Sequence, residues 1–321
     1  MKENESLELL QPAPEENLLR WLQEFYGKPV SIAKRELLRH RDLSFVERLW
    51  VENALPSTLI YKLVLPPWDV EQDLHERVLI PSISNSATLF LTAHHGPLTA
   101  LFLEDLGERS LLNSPSTQQM AASVGTELAK MHRAYSYRID ELMAVNVLRS
   151  LLPLDYESFT ATMTDKLRDW KVIDKKQSDQ LLAVASTLAT KLAGEPVSLV
   201  HGDLYAENIL VRGERFFIID WSWFTMVGVP AMDLAALTSN HFKNGDFYHW
   251  RDTVIDSYCF ESGRQSEDVR KALPFAETLS RLLFLNWLVV RRERGIMGTT
   301  VGSVDALIPK IVDEINARVH I

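Results

Sequence analysis

A chain of 321 residues, 46% hydrophobic and 24% charged, can bury a sizeable core in one large or two small domains. Its net charge of −9, with no lysine- or arginine-rich block, argues against a nucleic-acid partner. The single cysteine, Cys259, excludes an internal disulfide and reads as a buried thiol, since no activating residues cluster around it in sequence.

Taken in order, the acidic start MKENESLELL lacks the positive and apolar parts of a signal peptide. Residues 1–15 read as a loose arm containing Pro12 and Pro14. Leu18, Leu19, Trp21, Leu22 and Phe25 then recur at helical spacing, and Gly27 closes that helix. Three strands are predicted at about 32–38, 45–51 and 58–65. The third, TLIYKLVL, sets Lys62 among β-formers and stops at Pro66-Pro67. A helix capped by Asp69 runs to about Leu79, with Glu76 inside it. Residues 100–103 read as a further strand, followed by Glu104-Asp105-Leu106-Gly107.

From Gly107 the pattern is helical. Met120, Val124, Leu128 and Met131 line one face of a helix over 117–135, where His132 reads as a packing or surface residue. Helices over 156–170 and 176–193 follow, and others over 231–240, 250–260, 267–294 and 304–319 complete the chain. The apolar run 282–290 is broken by Asn286 and is too short to span a bilayer. A cytoplasmic protein with no membrane partner is expected. Strands gather in the first third and helices in the rest, which indicates an α+β architecture.

Between the helices lies VSLVHGDLYAENILVRGERFFIIDWSWFTMVGVP, residues 197–230. Val197, Leu199 and Val200 read as a short strand ending at His201. Residues 209–211 and 216–219 read as a hairpin turning at Arg212-Gly213-Glu214. Asp203 and Asn208 fall on the loop before it and Asp220 at its exit. Burying such groups unpaired costs about 2–7 kcal/mol each, so a metal with a phosphate is the expected partner. His201-x-Asp203, four residues and Asn208 repeat the spacing of a kinase catalytic loop. In that chemistry the loop Asp accepts the proton of the attacking hydroxyl. The Asn and the hairpin Asp hold Mg²⁺ on the nucleotide phosphates.

HGDLYAEN followed by IIDW resembles the aminoglycoside phosphotransferase and choline kinase group of small-molecule kinases. GVPAMDLAAL, residues 228–237, is similar to the segment that follows the metal Asp there, although Val229 stands where an Asp is usual. The resemblance covers most of the chain and is strongest over 201–237. It implies a bilobal protein kinase-like fold, with a nucleotide-binding lobe over 1–106 and a helical lobe over 107–321. It also implies ATP, Mg²⁺ and a small hydroxylated acceptor such as an aminoglycoside, an amino alcohol, a sugar or homoserine. Carried onto this sequence, the catalytic residues are Asp203 as base, His201 at the head of the same loop, and Asn208 and Asp220, the last two as the metal ligands. Lys62 contacts the phosphates and is held by Glu76, because HERVLI resembles the matching helix of the group. LFLEDLG resembles the hinge, where backbone near Glu104, Asp105 and Leu106 binds adenine. The turn RHRDLSF has no glycine to admit phosphates to the backbone, so the nucleotide lid either works through side chains, Ser44 or Arg41, or lies further away.

For the acceptor, Trp221, Trp223, Phe224, Phe247, Tyr248, Trp250 and Trp287 supply aromatic faces suited to amines. Asp246, Asp252, Asp256 and Glu261 supply acids, although core packing for most of the aromatics and solvated helix faces for most of the acids is the stronger reading of both sets. The rival reading from another class is a kinase-fold scaffold that has lost catalysis. A protein-substrate kinase is disfavoured by the short span from Asp220 to Asp233.

Overall fold

The structure, a computed structural model, describes residues 10–318 except 42, 300 and 301. Its N-terminal part is an antiparallel sheet of β1 (Ser31–His40), β2 (Ser44–Glu52), β3 (Thr58–Val64), β4 (Leu89–His95) and β5 (Leu98–Glu104), in spatial order β1-β2-β3-β5-β4. The predicted strands are all present. β4 is an addition, and its residues are mostly half-buried on both faces, so no alternation marks it in the sequence.

Helix α1 (Glu15–Tyr26) covers one face of the sheet, packing Leu18 and Leu22 against Tyr61, Leu63 and Phe102. The expected loose arm is corrected in part. Leu10 and Ala13 are buried in that same core, and the Ala13 N–H donates to the Tyr61 hydroxyl at 3.2 Å. Residues 1–9 of the expected arm lie outside the described residues. The opposite face of the sheet looks into a cleft. Arg39 on β1 lies opposite Val46 on β2, and Val46 lies opposite Lys62 on β3. Directly paired residues project from the same face, so this register sends Arg39 and Lys62 into the cleft together. A bulge between Leu37 and Arg39 sets that phase. Between β3 and β4 the chain forms α2 (Glu71–Arg77) and the single turn α3 (Pro81–Ser84), and Leu74, Val78 and Leu79 of this stretch pack into a core shared with the helical part.

The C-terminal part is helical: α4 (Gln118–Ser136), α5 (Ile139–Met143), α6 (Tyr156–Asp169), α7 (Lys175–Leu192), α8 (Ala231–Thr238), α9 (Arg251–Ser262), α10 (Ser266–Glu293) and α11 (Val304–Asn316). Thr117 caps α4 and Asp174 caps α7 by accepting from backbone N–H groups of the first turn. The short strands β6 (Arg149–Ser150), β7 (Ser198–Val200) and β10 (Met226–Gly228) pair in the order β6-β10-β7, and β8 (Ile209–Arg212) with β9 (Arg215–Ile218) forms the predicted hairpin. By length and composition α10 is apolar enough to cross a membrane, being much longer than the run 282–290 alone. Here Leu279, Leu282, Leu283 and Leu285 are buried among residues of α6, α7 and α11, as the core of the helical part. Cys259 is buried on α9.

Candidate active site

The loop after β7 is fixed from beneath. The N–H groups of His201 and Gly202 donate to the two carboxylate oxygens of Asp233, at 2.9 and 2.8 Å. Asp233 sits in the first turn of α8 with no exposed surface, and His132 Nε2 faces it at 3.1 Å. Burial alone would raise the Asp233 pKa, but these donors outweigh it and keep the group ionised below the usual range. His132 is therefore a buried anchor rather than a surface residue. Gly202 has φ +77°, and a Cβ there would stand 2.3 Å from the Phe224 carbonyl oxygen, so the turn admits only glycine.

His201 is fully buried. Its Nε2 donates to the Ile219 carbonyl at 3.0 Å, which leaves Nδ1 to accept from the Asp203 N–H at 3.3 Å. It thus ties the loop to the hairpin and touches no substrate space. The expected catalytic role is corrected to a positioning one. Asn208, also buried, donates from Nδ2 to the Asp203 carbonyl at 2.8 Å.

The Asp203 side chain faces the cleft. It keeps 29% of its surface open, with Lys243 Nζ 3.6 Å from Oδ2. The site is deep enough that surrounding protein displaces most water, and this desolvation raises the Asp203 pKa against the opposing pull of Lys243 and His201.

Asp220 follows β9 with φ +64°, a left-handed conformation that costs an ordinary residue about 1–2 kcal/mol. That turn aims its carboxylate at the sheet. Oδ1 accepts from Lys62 Nζ at 2.6 Å, and Oδ2 lies 3.4 Å from Arg39 Nη1. Burial alone would raise Asp220, but Lys62 and Arg39 hold it well below the carboxylate range. Burial alone would likewise lower Lys62, and Asp220 with Glu71 outweighs it.

The acidic partner of Lys62 on α2 is Glu71, buried and in direct contact with Nζ, and the expected pairing with Glu76 is corrected. Glu76 is exposed and accepts from Gln72 at 2.9 Å. The reason is helical phase. Glu71, Leu74 and Val78 share the inward face, at spacings of three and four residues, and Glu76 points away. If the pair acts as one unit, Lys62→Met and Glu71→Gln each impair ATP use, and the double variant loses far less than the sum. Glu76→Gln then changes kcat/KM for ATP by less than about 2-fold, as for an exposed charge. Steady-state ATP kinetics check this, and a Glu76 effect larger than that of Glu71 would reverse the assignment.

The remaining nucleotide-side residues divide. Arg41 and Ser44 both line the cleft, with Arg41 3.8 Å from Glu207. Arg39, missing from the sequence reading, is the residue of that turn region that reaches Asp220. The signal that reveals it is cross-strand register. The hinge side chains are not brought to the cleft. Glu104 accepts from the Thr88 hydroxyl at 3.0 Å, Asp105 from Arg48 Nε at 2.9 Å, and Leu106 is buried beside Ala87 and Phe217. Asp203, Asp220, Lys62, Glu71 and Arg39 share one cavity of about 790 Å³.

Residues 74–272, more than half of the chain, match the phosphotransferase enzyme family. This chain belongs to that family. LicA of Haemophilus influenzae is 24% identical over 99 residues, which make up 30% of this chain and 36% of LicA, so the match spans about a third of that relative. A spectinomycin phosphotransferase solved with ADP and spectinomycin has a TM-score of 0.59 at 14% identity, covering 97% of this chain and 98% of its own. An ethanolamine kinase of Plasmodium vivax has a TM-score of 0.61 at 13% identity, covering 88% of this chain and 82% of its own. These likenesses establish the bilobal kinase-like fold of this phosphotransferase, a small-molecule kinase by family.

Beyond Asp203 the same cavity of this phosphotransferase continues along the helical part. Of the aromatics singled out in the sequence, Trp223, Phe224, Tyr248 and Trp287 line it. Phe284, outside that set, stacks on Trp287 with ring centroids 5.5 Å apart. Trp221 and Phe247 are core residues, and Trp250 packs against the core. None of the four acids lines the cavity. Asp252 and Asp256 hold Arg270, Glu261 holds Arg133, and Asp246 is exposed elsewhere.

Proposed function

We propose that this phosphotransferase moves the γ-phosphate of ATP to a hydroxyl of a small molecule, with Asp203 as general base. The observation that carries the reading is the convergence of Asp203, Asp220, Lys62, Glu71 and Arg39 on one cavity, because phosphoryl transfer is chiefly positioning and charge compensation. Asp203 takes the proton of the acceptor hydroxyl as its oxygen bonds to phosphorus, and the bond from phosphorus to the ADP oxygen breaks. Lys62 and Arg39, now on Asp220, are placed to meet the phosphates. The nucleotide-binding lobe is the segment up to residue 106, and the helical lobe from residue 107 carries the catalytic loop and the acceptor side.

Among the described residues no three His, Cys, Asp or Glu side chains form a metal cluster. Asp220 and Asn208 are nonetheless the oxygen donors that Mg²⁺ prefers, and two protein ligands suit an ion completed by phosphates and water. Asn208 spends its nitrogen on Asp203, which leaves its amide oxygen as the ligand atom. A bound Mg²⁺ supplies neutralisation of charge on the phosphate oxygens.

The test is ADP release across a panel of hydroxylated metabolites and antibiotics, with the Asp203→Asn protein as blank. The expected result is at least one acceptor well above the blank. A protein that binds MgATP tightly and stays at the blank with every acceptor would be a scaffold instead.

A further inference from the structure

The cavity wall beyond Asp203 does not have the chemistry of an amine site. Lys243, Arg251, Arg281 and Lys310 line it, from three different segments of the chain, against Glu277 and Glu314. Both glutamates have basic partners. Glu277 lies 3.0 Å from Arg318, and Glu314 lies 3.9 Å from Arg281, beyond hydrogen-bond reach, so the Arg281 guanidinium offsets that charge and keeps donors for a ligand. The acids that would recognise an amine are tied to Arg270 and Arg133 outside the cavity.

A second, independent observation concerns the aromatic faces. An aromatic cage binds a cation through the negative face of its rings. Here the rings already carry cations from the chain itself. Arg149 stacks on Trp223 at 3.7 Å from the ring centroid, and the buried Arg291 stacks on Trp287 at 4.5 Å. Lys243 lies over Tyr205 at 5.2 Å and Arg251 over Tyr248 at 5.1 Å. Arg149 and Arg291 do not themselves line the cavity. A ligand cation drawn to either ring would meet the like charge of the guanidinium already stacked on it, in poorly screened surroundings. His241, which also lines the cavity, adds no acid. Burial, then Lys243 and Arg281, push its pKa down to about 4.

We propose that the acceptor is a hydroxylated small acid, whose carboxylate or phosphate is held by Arg281 and Lys310 while its hydroxyl lies at Asp203. This rests on the small-molecule kinase reading and adds the class of acceptor to it. Arg281 on α10 and Lys310 on α11 form the far wall. The stacked pair Phe284 and Trp287 covers the apolar body of the ligand. The arrangement is the reverse of what a polyamine or a quaternary ammonium needs. It accepts a zwitterion only where the amine points away from the four basic residues.

The experiment uses matched acceptors with the full-length protein and MgATP: D-glucuronate, D-glucose and D-glucosamine, then 4-hydroxybutyrate, L-homoserine, ethanolamine, choline and kanamycin. ADP release and calorimetric binding are both measured. The acids are expected to exceed their neutral and amine counterparts in kcat/KM by about 10-fold or more, the worth of one charge-assisted hydrogen bond. Arg281→Gln with Lys310→Gln should raise the acceptor KM by at least about 10-fold while the KM for ATP stays put, and Arg281→Lys should restore part of it. A merely structural role would move kcat and both KM values together. An amine as the preferred acceptor overturns the proposal, as does an unchanged acceptor KM in the double variant. So does a panel in which no acid is bound or turned over. MgATP binding, measured separately, then tells whether the kinase reading falls with it.

Discussion

Replacing Asp203 by Asn lowers phosphoryl transfer by about 10²–10⁴-fold, the usual worth of a general base, while MgATP binding is retained. The retention follows from geometry. The Lys62 and Arg39 contacts on the nucleotide side go to Asp220, and Asp203 faces Lys243. The amide keeps the shape, and the backbone carbonyl that receives Asn208 is untouched. The pH profile carries a further expectation. Asp203 must be ionised to act, and burial raises its pKa, so the acid limb of kcat lies above the pH of an ordinary carboxylate. Lys243 opposes that rise. Lys243→Gln removes the opposition and should move the limb to still higher pH. A limb that stays in place, or a turnover close to that of the unaltered protein in the Asn variant, would remove Asp203 from the role of base.

Asp220→Ala is expected to weaken Mg²⁺-dependent nucleotide binding by at least about 100-fold, since even residues that only support a metal ligand are worth 10–100-fold. Asn208→Ala should cost less, because a neutral amide oxygen is a weaker ligand than a carboxylate. Calorimetry with ATP, with and without Mg²⁺, checks the order. The left-handed backbone at Asp220 adds a control. Asn tolerates that conformation and Ala does not. Both Asp220→Asn and Asp220→Ala lose the metal ligand and the pairing with Lys62 and Arg39, but the Ala variant should be about 1–2 kcal/mol less stable than the Asn variant. Equal nucleotide affinity with and without the carboxylate would place the metal elsewhere.

Much of this was legible in the sequence, and what was missed has physical reasons. Asp203, Asn208 and Asp220 were readable because polar groups at fixed spacing between apolar strands demand a partner. Lys62 was readable as a lone charge among β-formers. Glu71 is masked in the sequence by the likeness of HERVLI to the family's helix, which points to Glu76 instead. Its own periodicity, with Leu74 and Val78 inward, carries the answer. Arg39 was invisible because a bulge sets the phase of β1 there, and no pattern of residue types announces a bulge. His201 was read as catalytic because spacing locates a residue and says nothing about which way it faces. The acceptor wall was least legible, since its charges come from segments far apart in the chain.

The single thiol has a practical consequence. Cys259 is buried, and desolvation raises its pKa, so it stays protonated and out of reach of alkylating reagents. A cysteine introduced at Leu37, 57% exposed on β1 beside the bulge, is then the one position that a fluorophore or spin label can take. The distance or environment of β1 can then be followed during turnover from a single label in a protein that is otherwise unaltered.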